Sequence, residues 1–177
     1  LSSPRIIAGK AKGLRLQSVP GDSTRPITDR VKEALFNIIG IDIVDASFLD
    51  LFGGTGSVGI EALSRGAALA RLIELNQVAV ITIKRNLEFT RLKDLGEVIH
   101  SDAFVYLKRP ADWGFDYIYV APPQYKNLWQ KAILEIDANP AWLSEDAWVI
   151  AQIHPVEYEE LVLNHMDEFD QRKYGST

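Results

Sequence analysis

The sequence predicts an α/β fold: a mainly parallel, twisted sheet with helices on both faces, preceded by a basic hairpin and helix. Two observations carry this. From Ser47 onward short apolar runs alternate with amphipathic stretches, the pattern of strands joined by crossover helices. The first of these strands runs into Gly53-Gly54-Thr55-Gly56 and then a helical segment, as a parallel sheet does where it offers its carboxyl edge to a ligand. At 177 residues the chain is one domain's worth of sequence. It divides into an extension, residues 1–40, and the sheet domain, residues 41–177, expected to fold as one compact unit.

In the extension, residues 5–16 read as a hairpin, with Ile6-Ile7 and Leu14/Leu16 on either side of Gly9-Lys10-Ala11-Lys12-Gly13. Pro20-Gly21-Asp22-Ser23 breaks the chain. A helix follows from Thr28, with Val31, Leu35, Ile38 and Ile39 on one buried face and Arg30, Glu33 and Asn37 off it. The net charge of −5 hides an asymmetry: residues 1–37 hold seven basic side chains against three acidic ones. A basic arm on an acidic body suits contact with a polyanion, through Lys10, Lys12, Arg15, Arg25 and Arg30. Cations at this density are equally at home on a solvated surface.

The sheet domain reads as strands at residues 48–52, 70–75, 97–100, 115–120 and 147–152. Helical runs lie between them at 57–65, closed by Gly66, at 76–91, opened by an asparagine cap, at 103–108 and at 128–137, with another starting near Pro155. Residues 169–174 read as the outward half of an antiparallel edge hairpin whose partner lies beyond Thr177, and both ends of the chain read as trimmed. The composition, 47 % hydrophobic and 24 % charged, excludes a disordered chain. There is no apolar run of about 18 residues and no signal-peptide layout, so no membrane is expected and the cytoplasm is, with a plastid not separable from it. Without cysteine there is no disulfide, thiolate zinc site or cysteine nucleophile, and no metal is expected. His100, His154 and His165 read as surface or cap residues.

The candidate ligand site is the carboxyl edge. Gly54, Gly56 and Gly59 satisfy G-x-G-x-x-G, a pattern shared by many nucleotide binders. Asp50 precedes the turn, where it would repel a pyrophosphate and attract a cation. Glu74 ends the second strand, 24 residues after Asp50, placed to accept both hydrogen bonds of a ribose diol; Asp102 follows the third strand, placed to accept from an adenine amino group. Three carboxylates on three successive strand ends suit a cationic nucleoside, S-adenosylmethionine. A nicotinamide cofactor remains compatible with the glycines alone. After the fourth strand, Ala121-Pro122-Pro123-Gln124-Tyr125 leaves the sheet rigidly, presenting the carbonyls of Ala121 and Pro122 to an exocyclic amino group, with Tyr125 or Trp129 able to stack on a base.

With these residues the sequence resembles the Rossmann-like class I S-adenosylmethionine-dependent methyltransferases, and more narrowly the RsmD family of bacterial guanine-N2 methyltransferases acting on small-subunit ribosomal RNA. The resemblance spans nearly the whole chain: Arg5-Ile6-Ile7-Ala8-Gly9, Arg25-Pro26, Asp29-Arg30, Glu33-Ala34-Leu35-Phe36-Asn37, residues 49–66, Ser101-Asp102-Ala103 and Lys173-Tyr174-Gly175. It implies that Asp50, Gly53, Gly54, Thr55 and Gly56 line the methionine end of the cofactor, Glu74 the ribose, and Asp102 with Ala103 the adenine. It implies a catalytic loop of Ala121, Pro122, Pro123 and Tyr125, and a ribosomal RNA or assembling small subunit as partner of a monomer. The chain departs from the family at Ala121, where the family has aspartate, at Gln124 before the aromatic residue, and at Ile27, where the family has threonine. Ala121 keeps open a homologue that binds RNA without catalysis.

Overall fold

A computed structural model describes residues 3–21 and 26–177. Its centre is a five-stranded sheet of β1 (Ser47–Asp50), β2 (Leu69–Glu74), β3 (Gly96–His100), β4 (Phe115–Val120) and β5 (Leu143–Ala151). The spatial order is β3-β2-β1-β4-β5 and every pairing is parallel. The chain moves outward from β1 to β3, then returns to lay β4 on the other side of β1. That reversal opens a crevice at the carboxyl ends of β1 and β4, the place where such sheets bind ligands.

Alternation along the strands feeds two cores. Phe48, Leu72, Tyr117 and Tyr119 face α1 (Asp29–Ile39), α2 (Ser57–Ser64) and α3 (Gln77–Phe89). Leu49, Ile73, Ile118 and Val120 face α4 (Ala103–Leu107) and α5 (Leu128–Ala138). The expected caps are in place. Thr28 accepts from Val31 N at the start of α1, and Asn76 accepts from Val78 N and Ala79 N at the start of α3. All eight residues of α2 are buried, because the sheet lies under this helix and residues 4–17 lie over it.

Three expectations are corrected. The hairpin at 5–16 is a bridged loop rather than two strands: one antiparallel bridge joins Arg5 and Arg15, with Ile6 N on Leu14 O at 2.9 Å and Gly13 N on Ile6 O at 2.8 Å. Its backbone groups bond instead to α2, which outcompetes a ladder. The helix expected near Pro155 is a single 3-10 turn, Pro155–Glu157, capped by His154. Beyond it Leu161 and Leu163 pack onto the α5 side of the sheet two residues apart, a spacing that an extended chain meets and a helix does not. Residues 169–174 form no strand; Phe169 lies against Trp148 of β5, ring centroids 5.1 Å apart, without a ladder. Strand β5 also begins four residues before its predicted start, across a register shift between Phe115 and Tyr117.

Candidate active site

The loop after β1 is folded by its own amides. Gly53 N donates to Ile73 O at 2.8 Å and Gly56 N to Gly53 O at 2.8 Å. Gly54 and Gly56 take φ of +58° and +84°, a left-handed turn that opens directly into α2 and that other residues enter only under strain. The helix therefore aims its free N–H groups and positive dipole end at the crevice.

Asp50, at the end of β1, is 1 % exposed. Burial pushes its pKa up to about 7, the nearby charge of Glu74 raises it further, and Phe52 N, donating at 3.2 Å, opposes the shift. Glu74 is joined to the loop itself: one of its oxygens accepts from Gly54 N at 2.9 Å and the other from Asn76 N at 2.7 Å. Each oxygen keeps a second lone pair, so the carboxylate is oriented without being used up. Asp102 caps α4, its Oδ1 accepting from Phe104 N and Val105 N, while Oδ2 stays outside the cap; Ala103 is buried behind it. Ser101 N on Glu74 O, 3.0 Å, ties these two strand ends together. The structure thus brings Asp50, Gly53, Gly54, Thr55, Gly56, Glu74 and Asp102 to one rim.

Ala121 and Pro122 leave β4 half-buried on the other side of the crevice, and Pro123 and Tyr125 are exposed. Tyr125 and Asn127 have φ of +63° and +53°. A left-handed tyrosine is a strained arrangement of the kind that concentrates at functional sites. It is held by Glu157, which the sequence did not single out. Glu157 Oε1 accepts from Tyr125 N at 2.7 Å, Trp129 Nε1 donates to Glu157 O at 3.2 Å, and the His154 ring lies 5.7 Å from that of Tyr125. Trp129 is buried and stacked on Tyr158, whereas Tyr125 is 65 % exposed. The other histidines are structural as well, His100 contacting Leu75 O and His165 contacting Asp137 O.

The basic arm is less available than its composition suggests. Lys32 is 1 % exposed and bonds Arg5 O, Ser57 Oγ and Glu61; burial lowers its pKa and Glu61 opposes this. Arg5 pairs with Asp29 at 3.0 Å. Lys10, Lys12, Arg15 and Arg30 are exposed, and Arg25 lies outside the described residues. The turn bearing Lys10 and Lys12 is anchored on Ser64, at the far end of α2, roughly 10 Å along the helix from the glycine loop. Arg15, bridged to Arg5, is at the near end.

Strand order, glycine loop and acidic rim define a class I S-adenosylmethionine-dependent methyltransferase fold. The family model described as "Conserved hypothetical protein 95" matches residues 4–177, and the chain belongs to that family, the one that contains ribosomal RNA small subunit methyltransferase D. It is 40 % identical over 150 residues to "Putative rRNA methyltransferase YlbH" of Bacillus subtilis, covering 84 % of this chain and 81 % of that one. It is 35 % identical over 148 residues to "Ribosomal RNA small subunit methyltransferase D" of Escherichia coli, covering 84 % and 73 %. Among solved structures, "Putative methyltransferase yhhF from Escherichia coli" superposes with a TM-score of 0.86 at 33 % identity, over 99 % of this chain and 94 % of that one.

Proposed function

We propose that this chain methylates the exocyclic N2 of a guanine in small-subunit ribosomal RNA, with S-adenosylmethionine as donor. The observation that carries the reading is the buried Asp50 carboxyl beside Glu74 and the glycine loop, a rim fitted to a cationic nucleoside and hostile to a pyrophosphate. When bound, S-adenosylmethionine would supply a methyl group already activated on a sulfonium: the C–N bond would form as the S–C bond breaks, the neutral thioether would leave, and the proton shed by the acidified N2 would pass to water, so no strong base is needed.

The residues of the chain bind and orient. Asp50 answers the positive charge, Glu74 the ribose hydroxyls, and Asp102 with Ala103 the adenine. The carbonyls of Ala121 and Pro122 accept from the guanine amino group, turning its lone pair toward the methyl and offsetting the charge that grows on nitrogen. The strained Tyr125 stacks on a base withdrawn from its helix or loop, and Lys10, Lys12, Arg15, Arg25 and Arg30 hold flanking phosphates. The reaction belongs where ribosomal subunits are assembled, in the bacterial cytoplasm, and the described helices include none long and apolar enough to cross a membrane.

Methyl transfer from labelled cofactor to undermodified small subunits, with the modified base mapped, tests the reading. Label at N2 of one guanine is expected. A chain that ignores S-adenosylmethionine and its demethylated product yet binds NAD overturns it. Ala121 favours a second reading, an RNA-binding homologue without catalysis, for which RNA affinity without label transfer is the signature.

A further inference from the structure

Asn86 is fully buried in the interior of α3. A buried amide must find partners, and this one finds three. Its Oδ1 accepts from Gln17 N at 2.8 Å, while Nδ2 donates to Gln17 O at 3.1 Å and to Thr55 O at 2.9 Å. The first two bonds grip the backbone of the arm as a neighbouring strand would. The third reaches the glycine loop between its two left-handed glycines, where a peptide plane has the most freedom to turn, and fixes the Thr55–Gly56 peptide. A leucine here would fill the core but strand the backbone groups of Gln17 and the Thr55 carbonyl.

A second tie runs in parallel. Lys32 Nζ, equally buried, bonds Arg5 O in the arm and Ser57 Oγ, 2.9 Å away, in the first residue of α2. Arm and loop are thus joined at Thr55 and again at Ser57.

We infer that Asn86, supported by Lys32, is a positioning residue that couples the RNA-facing arm to the cofactor loop, so that RNA and cofactor each tighten the binding of the other. This rests on the methyltransferase reading above and deepens it. The coupling is reciprocal by thermodynamic necessity: an arm steadied by RNA steadies the loop, and a loop steadied by cofactor steadies the arm.

The test measures binding of S-adenosylhomocysteine by calorimetry, with and without an RNA fragment carrying the target site, together with steady-state constants. Asn86→Asp is isosteric and keeps the acceptor for Gln17 N; ionised it loses both donors, and protonated it keeps one at most. Ser57→Ala removes the acceptor of the second tie and serves if Asn86→Asp does not fold. In the unaltered chain RNA tightens binding about fivefold or more. In either variant that gain shrinks and the cofactor KM rises several-fold, while kcat at saturating cofactor changes by less than about twofold. A purely structural role predicts a lower melting temperature with the coupling intact. Unaltered chain without any RNA effect, or a folded variant with full coupling and an unchanged KM, overturns the inference. No methyl transfer by the unaltered chain would instead overturn the functional reading itself.

Discussion

Asp50 carries a pH signature. Its pKa near 7 stands above the ordinary value of 3.8 because the fold strips it of water. A carboxyl whose folded pKa is raised is compatible with the fold while protonated, so its contribution to stability is lost as pH climbs from about 4 to about 7, by roughly 4 kcal/mol when fully ionised. A cationic ligand takes the ionised form. Cofactor affinity is therefore expected to rise by up to about tenfold per pH unit below about 7 and to level off above it, as the ligand-free protein melts at progressively lower temperature over the same interval. Calorimetry and thermal melts across pH read both slopes, and Asp50→Asn should flatten them; a slope that survives the substitution assigns the titration to another group. Across the crevice, Pro122→Gly frees the carbonyls of Ala121 and Pro122 to rotate and should lower kcat about tenfold or more, whereas Ala121→Asp should retain or raise it. Wild-type turnover in Pro122→Gly would remove the loop from its assigned role. Asp50, Glu74 and Asp102 were legible from sequence because alternating strands and helices fix where each strand ends. Glu157 and Asn86 were not: their partners are 32 residues away at Tyr125 and 69 away at Gln17, and nothing local marks a carboxylate or amide that serves a distant backbone.

At the scale of elements the instructive case is α2. Its sequence reads as an ordinary helix closing at Gly66, yet every residue is buried, and its one acid, Glu61, is the hub on which the arm is hung. Glu61 accepts from Ile7 N at 2.9 Å and Ala8 N at 3.1 Å and pairs with Lys32 at 3.3 Å and Arg65 at 2.8 Å. The pair with Arg65 is local, i to i+4, whereas the lysine and the two amides come from other parts of the chain, which nothing in the sequence reading brought to Glu61. Gly9, read only as a turn residue, proves to be a point of close approach: with φ +85°, a Cβ there would sit 1.8 Å from Ser64 O. Removing one partner of a buried charge pair leaves the other uncompensated, so Glu61→Ala should cost about 3–5 kcal/mol, seen as a lower denaturation midpoint, and should expose the arm to proteolysis before the sheet. An arm that stays protected in this variant would mean that packing of Ile6 and Leu16 alone holds it down.

For the whole molecule, the question is how a chain of net charge −5 holds a polyanion. The asymmetry legible in the sequence is real but narrower than the count implies, since Lys32 is spent on Glu61 and Arg5 on Asp29. Among the described residues of the arm, the remaining exposed cations lie in two groups: Arg15, bridged to Arg5, with Arg30, next in sequence to the Asp29 that pairs with Arg5, and Lys10 with Lys12 at the far end of α2. A short RNA confined to the target base can reach only the first group, whereas an assembled subunit or a long fragment spans both. Neutralising Lys10 and Lys12 should therefore weaken binding of the long substrate and lower its salt dependence, by about one in slope for each phosphate no longer neutralised, with little change for the short one. Extending the neutralisation to Arg15 should weaken both. Binding curves taken across a salt series on the two substrates decide the matter, and a long-substrate slope that does not move with all three cations removed would take the arm out of RNA recognition and leave the site to capture its base through the loop at Tyr125 alone.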